Sequence, residues 1–165
     1  MSIHTAVVPA PPEPVLGTDW TLRPLDEPAT TPQPARTYAV TEAQGGPTLL
    51  LRVHRVAHHP LHSCYPYGTH DLALGLRLPD HGPSGRALAA KLLCALVPAL
   101  FLADPRCRRI VAAPDESDTV TQAALEAGGL LRVTEADLPE ASVVLFAAEP
   151  PDLADMSTAL DDMPH

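Results

Sequence analysis

An α/β domain is the fold class that this sequence predicts, and three observations carry that prediction. Short alternating segments rich in β-formers occur before residue 80 and again after residue 128. A long apolar pattern at helical spacing lies between them. The resulting order is strands, helix, strand, helix and two strands, which is the pattern of sheets that carry crossover helices.

The elements follow in chain order. Trp20–Leu25 reads as a first short strand, and the Pro/Thr-rich stretch Asp26–Pro34 reads as irregular. Thr37–Thr41 and Thr48–Val56 alternate, and the Gly45-Gly46-Pro47 turn between them predicts an antiparallel hairpin. Leu72–Leu78 is another strand, with Gly75 at a position where a bulge is cheap. A helix starts near Pro83 or Ser84, with Leu88, Leu92, Ala95, Leu96 and Ala99 on one face. Pro98 is expected to kink or shorten it. Arg109–Ala113 reads as a buried strand, and Asp118–Ala127 as a second helix ended by Gly128 and Gly129. Leu130–Glu135 and Ser142–Ala148 complete the strands.

With 165 residues the chain suits one domain with a real core. Eight of its 20 prolines precede residue 35, so residues 1–18 are expected to form a disordered arm. A single domain over 19–149 and an acidic flexible tail over 150–165 follow. The net charge of −9 disfavours nucleic acid, whose phosphates need clustered Lys and Arg. No run approaches the roughly 20 apolar residues needed to span a bilayer, so no membrane partner is expected. The first residues lack an export signal, and three cysteines without paired spacing fit a reducing, cytoplasmic setting.

Five segments carry a resemblance: Tyr65-Pro66-Tyr67 with His70-Asp71 and Gly75–Leu78, the turn His81–Ala87, Leu100–Asp115, Ala123–Pro139, and Val143–Glu149. In this order they resemble the GNAT (Gcn5-related) acyltransferases, especially the branch that acylates amines or hydroxylamines in siderophore biosynthesis. The resemblance covers about half of the chain. It implies a GNAT-like mixed central sheet with splayed strands and flanking helices. The N-terminal helical part is shortened, because the family's two acceptor-side helices have no room between Leu25 and Thr37. It also implies acetyl-CoA or another acyl-CoA as cosubstrate. The pantetheine slot would lie along Leu76 and Leu78, and the diphosphate site at Gly82, Gly85, Arg86, Ala87 and Leu88, where a helix start offers free N–H groups. The family's leading Arg or Gln is replaced by Gly82, and Pro83 removes one donor.

Catalysis needs a proton acceptor and a group that steadies the thioester oxyanion. The resemblance carries Asp115 over, whereas the family's strand His has become Arg77 and its Asn has become Asp118. Guanidinium does not lose its proton in proteins, so Arg77 either orients an anionic acceptor, polarises a carbonyl, or pairs with Asp71 or Asp115. Asp115 is equally a helix-start carboxylate. His70 or His62 is then a candidate for the missing proton acceptor. Where relatives tend to carry Glu in the hairpin strand, this chain has Arg52.

His54, His58, His59, His62, Cys64 and His70 have metal-ligand chemistry, but no spacing among them matches a zinc motif, and no metal is expected. Cys94 reads as a core residue, and Cys107 sits in a basic segment without a base partner. The expected function is acyl-CoA-dependent N-acyl transfer to a small amine, hydroxylamine or hydrazine in specialised metabolism. The alternatives are a degenerate, non-catalytic GNAT-fold partner subunit, or other chemistry on an acyl-CoA or a carrier-bound acyl group. A homodimer or a partner protein would complete the shortened acceptor side.

Overall fold

A computed structural model describes residues 10–25, 35–58 and 67–150. The expectations for residues 26–34, for the tail beyond Pro150, and for His59, His62, Cys64, Tyr65 and Pro66 lie outside them. Seven strands form one mixed sheet in the order β1-β2-β3-β4-β5-β7-β6. These are β1 (Trp20–Leu25), β2 (Ala35–Glu42), β3 (Leu49–Arg55), β4 (Leu72–Arg77), β5 (Ile110–Ala112), β6 (Leu131–Asp137) and β7 (Ser142–Ala148). Among the described residues two α-helices accompany them, α1 (Pro83–Ala103) and α2 (Thr119–Ala127). All strands are antiparallel to their neighbours except β4 and β5, which are parallel and joined by the α1 crossover.

The expected hairpin forms between β2 and β3. Gly45 and Gly46 turn it with φ of 91° and 121°, a region that only glycine enters without strain. Both helices pack on one face of the sheet. Leu88, Leu92, Leu93, Leu96 and Leu100 of α1 and Leu125 of α2 join Leu49, Leu51, Val53, Leu72, Ile110 and Phe146 in a single core. The opposite face carries a smaller cluster of Val56, Ala73, Val111, Val143 and Leu145, to which no α-helix among the described residues contributes.

Four expectations need correction. Pro98 does not shorten α1, which runs on to Ala103. Losing one helical bond and accepting the ring clash costs about 3 kcal/mol. Burying Leu100 and Phe101 beyond it returns about 1.5–3 kcal/mol each, so packing wins. At 21 residues, α1 is also long and apolar enough to cross a bilayer by length and composition, contrary to the expectation of no such run. In this protein its apolar stripe is spent on the sheet. Gly75 makes no bulge: β3 and β4 pair in unbroken register from Leu50↔Arg77 to Arg55↔Leu72. The one register shift among the strand pairs lies at Arg132/Thr134, between β6 and β7.

The fourth correction concerns the N-terminal arm. Residues 10–17 have no regular structure, yet they are tied down. Arg36 Nε donates to Pro11 O at 2.6 Å, Arg55 donates to Ala10 O at 3.0 Å, and Leu16 packs against the core. A Pro-rich segment lacks donors for a ladder, but its carbonyls remain acceptors for arginines of the sheet.

Candidate functional site

The sheet splits between β4 and β5. They pair only through Leu72↔Ile110, Ala73↔Val111 and Leu74↔Ala112. Beyond that point β4 stays with β3 as far as Arg77. The chain after β5 stays with β7 instead: Val144 N donates to Pro114 O at 2.9 Å, Asp115 bridges to Val143, and Glu116 N donates to Ser142 O at 3.0 Å. Each strand follows its other neighbour, so the two diverge without a bulge.

A cleft of about 210 Å³ fills the angle, lined by Leu74, Gly75 and Leu76 on one side and Ala112 to Asp115 on the other. Asp118, Thr121 and Leu125 of the α2 region close it. The lining is mixed: apolar side chains of Leu74, Leu76, Ala112 and Leu125 meet the polar groups of Asp115, Asp118 and Thr121. Leu72 N donates towards β5, to Arg109 O at 3.1 Å. Strand amides alternate in direction, so the Leu74 and Leu76 amides point the same way. Leu76 lies beyond the last β4–β5 pair, and its N–H therefore opens into the cleft.

Asp115 stands at the β5 rim. Its Oδ1 accepts from Ser117 Oγ at 2.7 Å and from Ser117 N at 2.9 Å, and these bonds hold the carboxyl below its ordinary pKa. Asp118 caps α2, accepting from Thr121 N at 3.1 Å and Thr121 Oγ1 at 2.7 Å. Arg77, at the end of β4, is exposed on the other rim. Because β4 and β5 run parallel, α1 and α2 both start at this end of the sheet.

The first turn of α1 is less open than the motif implies. Gly82 is the N-cap, and its N–H donates to Asp80 Oδ1 at 2.8 Å. Gly85 and Leu88 are buried, whereas Arg86 and Ala87 are exposed. Of the candidate binding residues, Leu76 lines the cleft, Leu78 is half-buried against the core, and the α1 residues stand apart from the cleft lining. Sequence reasoning missed Asp80, whose signal was an Asp two residues before the capping glycine.

His70 is not brought to this site. It precedes β4, and the four residues from it to Leu74, where the split begins, put it roughly 13 Å away. It belongs to a cluster at the far end of the sheet. There the buried Arg55 meets Asp104 Oδ2 at 2.8 Å and His70 O at 2.6 Å, and His70 Nδ1 lies 3.9 Å from Asp104 Oδ2. The carboxylate of Asp71 accepts the amides of Gly68, Arg108 and Arg109 there. Among the described residues no three His, Cys, Asp or Glu side chains gather as a metal-binding group.

A family model described as the acetyltransferase (GNAT) domain matches residues 16–138. The chain belongs to the GNAT acetyltransferase family. A lysine N-acyltransferase, MbtK, of Mycobacterium sp. (strain MCS) is 26% identical, over 89% of this chain and 74% of that protein. Its counterpart in Mycobacterium tuberculosis (strain CDC 1551 / Oshkosh) is 32% identical over 54% of this chain, which spans only 43% of that relative. Among solved structures, an aminoglycoside acetyltransferase AAC(6')-Ib in complex with coenzyme A superposes with a TM-score of 0.62 at 18% identity, over 74% of this GNAT chain and 70% of that one. An uncharacterized protein of Bacillus halodurans gives 0.61 at 22%, over 70% and 58%. These likenesses show the GNAT fold, with the splayed central strands that the sequence resemblance implied.

Proposed function

We propose that this GNAT protein transfers an acyl group from acyl-CoA to the nitrogen of a small amine, hydroxylamine or hydrazine acceptor in a siderophore-like biosynthesis. The observation that carries the reading is the split between β4 and β5 after Leu74 and Ala112, with the cleft that fills it. The residues fit a thioester arm: Leu74, Leu76, Ala112 and Leu125 offer an apolar slot, and the Leu76 amide offers a donor inside it. They fit the diphosphate end less well, because Asp80 already occupies the Gly82 amide.

In this reading the acceptor nitrogen attacks the thioester carbonyl directly and forms a tetrahedral intermediate, without an acyl-enzyme. The Leu76 N–H steadies the oxyanion from a position fixed by the strand, so nothing need reorganise as charge develops. Asp115 receives the proton that the nitrogen loses, directly or through one water. As the intermediate collapses the C–S bond breaks, and that proton passes on to the departing thiolate. Arg77 cannot serve as the base.

Relatives named as lysine N-acyltransferases support an amine acceptor. A second reading, a GNAT fold that binds a partner without catalysis, is favoured by Asp80 at the α1 start and by Arg77 in place of the family's His. The test is acyl-CoA binding by calorimetry, followed by thiol release across a panel of amines. Binding with acceptor-dependent release supports transfer. Binding without release from any amine favours the second reading, and no heat at millimolar acyl-CoA removes the first.

A further inference from the structure

The loop from β5 to α2, which carries Asp115, is bonded on two sides. The peptide groups that flank Asp115 are both tied to β7: Pro114 O accepts from Val144 N at 2.9 Å, and Glu116 N donates to Ser142 O at 3.0 Å. From the other side comes Gln122, in the first turns of α2. Its Nε2 donates to Asp115 O at 3.0 Å and to Glu116 O at 3.0 Å, so one side-chain amide spans two consecutive carbonyls. A glutamine carries two N–H donors on that nitrogen, one for each carbonyl. The helix fixes Gln122 itself, whose backbone N–H donates to Asp118 O at 3.2 Å.

Stability does not call for these two bonds. Both are exposed, where water serves a carbonyl nearly as well, so their net contribution to folding is small. The start of α2 has its own cap in Asp118, which accepts from Thr121 N and Thr121 Oγ1. What the bonds fix is direction. A peptide group is planar, so holding the groups on both sides of Asp115 sets its φ and ψ, and with them the line along which its side chain leaves the backbone. Ser117 then holds the carboxylate by Oδ1 alone, and among the described residues no hydrogen bond falls on Oδ2, the oxygen left to take a proton.

Resting on the acyltransferase reading, we infer that Gln122 is a positioning residue: its amide clamps the Asp115 and Glu116 carbonyls to α2 and so keeps the Asp115 carboxylate directed at the acceptor nitrogen in the split. Gln122 does not line the cleft, so it acts through Asp115 and not on the substrate. The clamp joins the two walls that close this end of the cleft, β5 with its β7 partner on one side and α2 on the other.

The experiment uses two variants of the full chain. Gln122→Met keeps the reach and helix preference of the side chain but removes both donors. Gln122→Lys restores donors at similar reach. Thiol release from acyl-CoA with an amine acceptor is measured for each, with amide hydrogen exchange at Glu116 by NMR. In Gln122→Met, kcat should fall about ten- to a hundredfold, the scale of loss when a reacting group is displaced by about 1 Å. KM for acyl-CoA and the melting temperature should stay unchanged, because the cleft lining and the α2 cap are untouched. Exchange at Glu116 should quicken, and Gln122→Lys should recover most of both changes. An unchanged kcat in Gln122→Met overturns the inference. So does a fall that Gln122→Lys shares in full, because the donors would then not matter. A fall that comes with a raised KM and a lower melting temperature also overturns it, since that is the signature of a loosened helix. Failure of the acyltransferase reading looks different: the parent itself releases no thiol with any amine, while exchange at Glu116 still separates Gln122→Met from Gln122→Lys. That result removes the positioning role and leaves the clamp in place.

Discussion

Gly85 packs against Asp80 so closely that no side chain fits between them: a Cβ on Gly85 would lie 2.5 Å from Asp80 O and 2.9 Å from Asp80 Oδ1. This contact sets the entry of α1 and places a carboxylate over its first turn. Gly85→Ala has to move the loop backbone and not merely a flexible side chain. The expected cost is about 1–3 kcal/mol, the usual range for overpacking. Urea denaturation measures it, and a variant as stable as the parent would show that the loop yields freely.

Asp80 also acts on the proposed nucleotide site. Its oxygen takes the Gly82 amide at 2.8 Å, and its charge repels a diphosphate approaching the positive end of α1. Asp80→Asn keeps an acceptor oxygen there and removes the charge. A helix-end charge is worth about 0.3–1 kcal/mol, so the Kd for CoA should fall about two- to fivefold. Calorimetry at low salt gives the answer, and weaker CoA binding in the variant would exclude competition by Asp80.

Ser117 tunes the residue assigned to receive the proton. Its hydroxyl and then its amide hold the Asp115 carboxyl below the ordinary value, so Asp115 remains ionised to lower pH than a free aspartate. Ser117→Ala removes the larger of the two effects and lets the pKa rise. If ionised Asp115 is required, the acid limb of the kcat/KM profile should move to higher pH in this variant, with the alkaline side unchanged. An acid limb that does not move would take Asp115 out of the proton path.

Much of this architecture was legible in the sequence, because it rests on local signals. Alternation gave β1 to β4, and glycine pairs gave the β2–β3 turn and the end of α2, where Gly129 has φ 98°. What was hidden depends on partners distant in the chain. Nothing local to Pro98 reveals that Leu100 and Phe101 are buried. Nothing local to Pro11 reveals Arg36, 25 residues away. The split was expected, but its cause was assigned to Gly75 on β4. It arises where Pro114 and Asp115 keep pairing with β7. His70 looked like a base only while its end of β4 was unknown.

The two described cysteines should differ sharply in reactivity. Cys107 is buried, and burial, helped by the Asp71 and Asp104 carboxylates, pushes its thiol up to about 12. At pH 8 only about one in 10⁴ such thiols is ionised, and the thiolate is the nucleophile. Cys94 is exposed. Brief iodoacetamide treatment of the native protein, followed by peptide mass spectrometry, should modify Cys94 and spare Cys107 until denaturant is added. Early labelling of Cys107 would mean that the α1–β5 connection opens readily.

Arg55 is the test of what holds the far end of the sheet together. Its side chain is only 3% exposed and joins three segments: Asp104 after α1, the His70 carbonyl before β4, and Ala10. Arg55→Met retains much of the apolar stem but leaves the Asp104 carboxylate, itself 12% exposed, without its cation. Breaking a buried pair from one side costs about 3–5 kcal/mol, because the stranded charge remains desolvated. Asp104→Asn in the same background should recover part of that loss by neutralising the stranded charge. Denaturation of the single and double variants measures both effects. The loss of the Ala10 bond should also make residues before β1 more sensitive to limited proteolysis than in the parent. An Arg55→Met protein of unchanged stability would mean that the three segments are held by apolar packing alone.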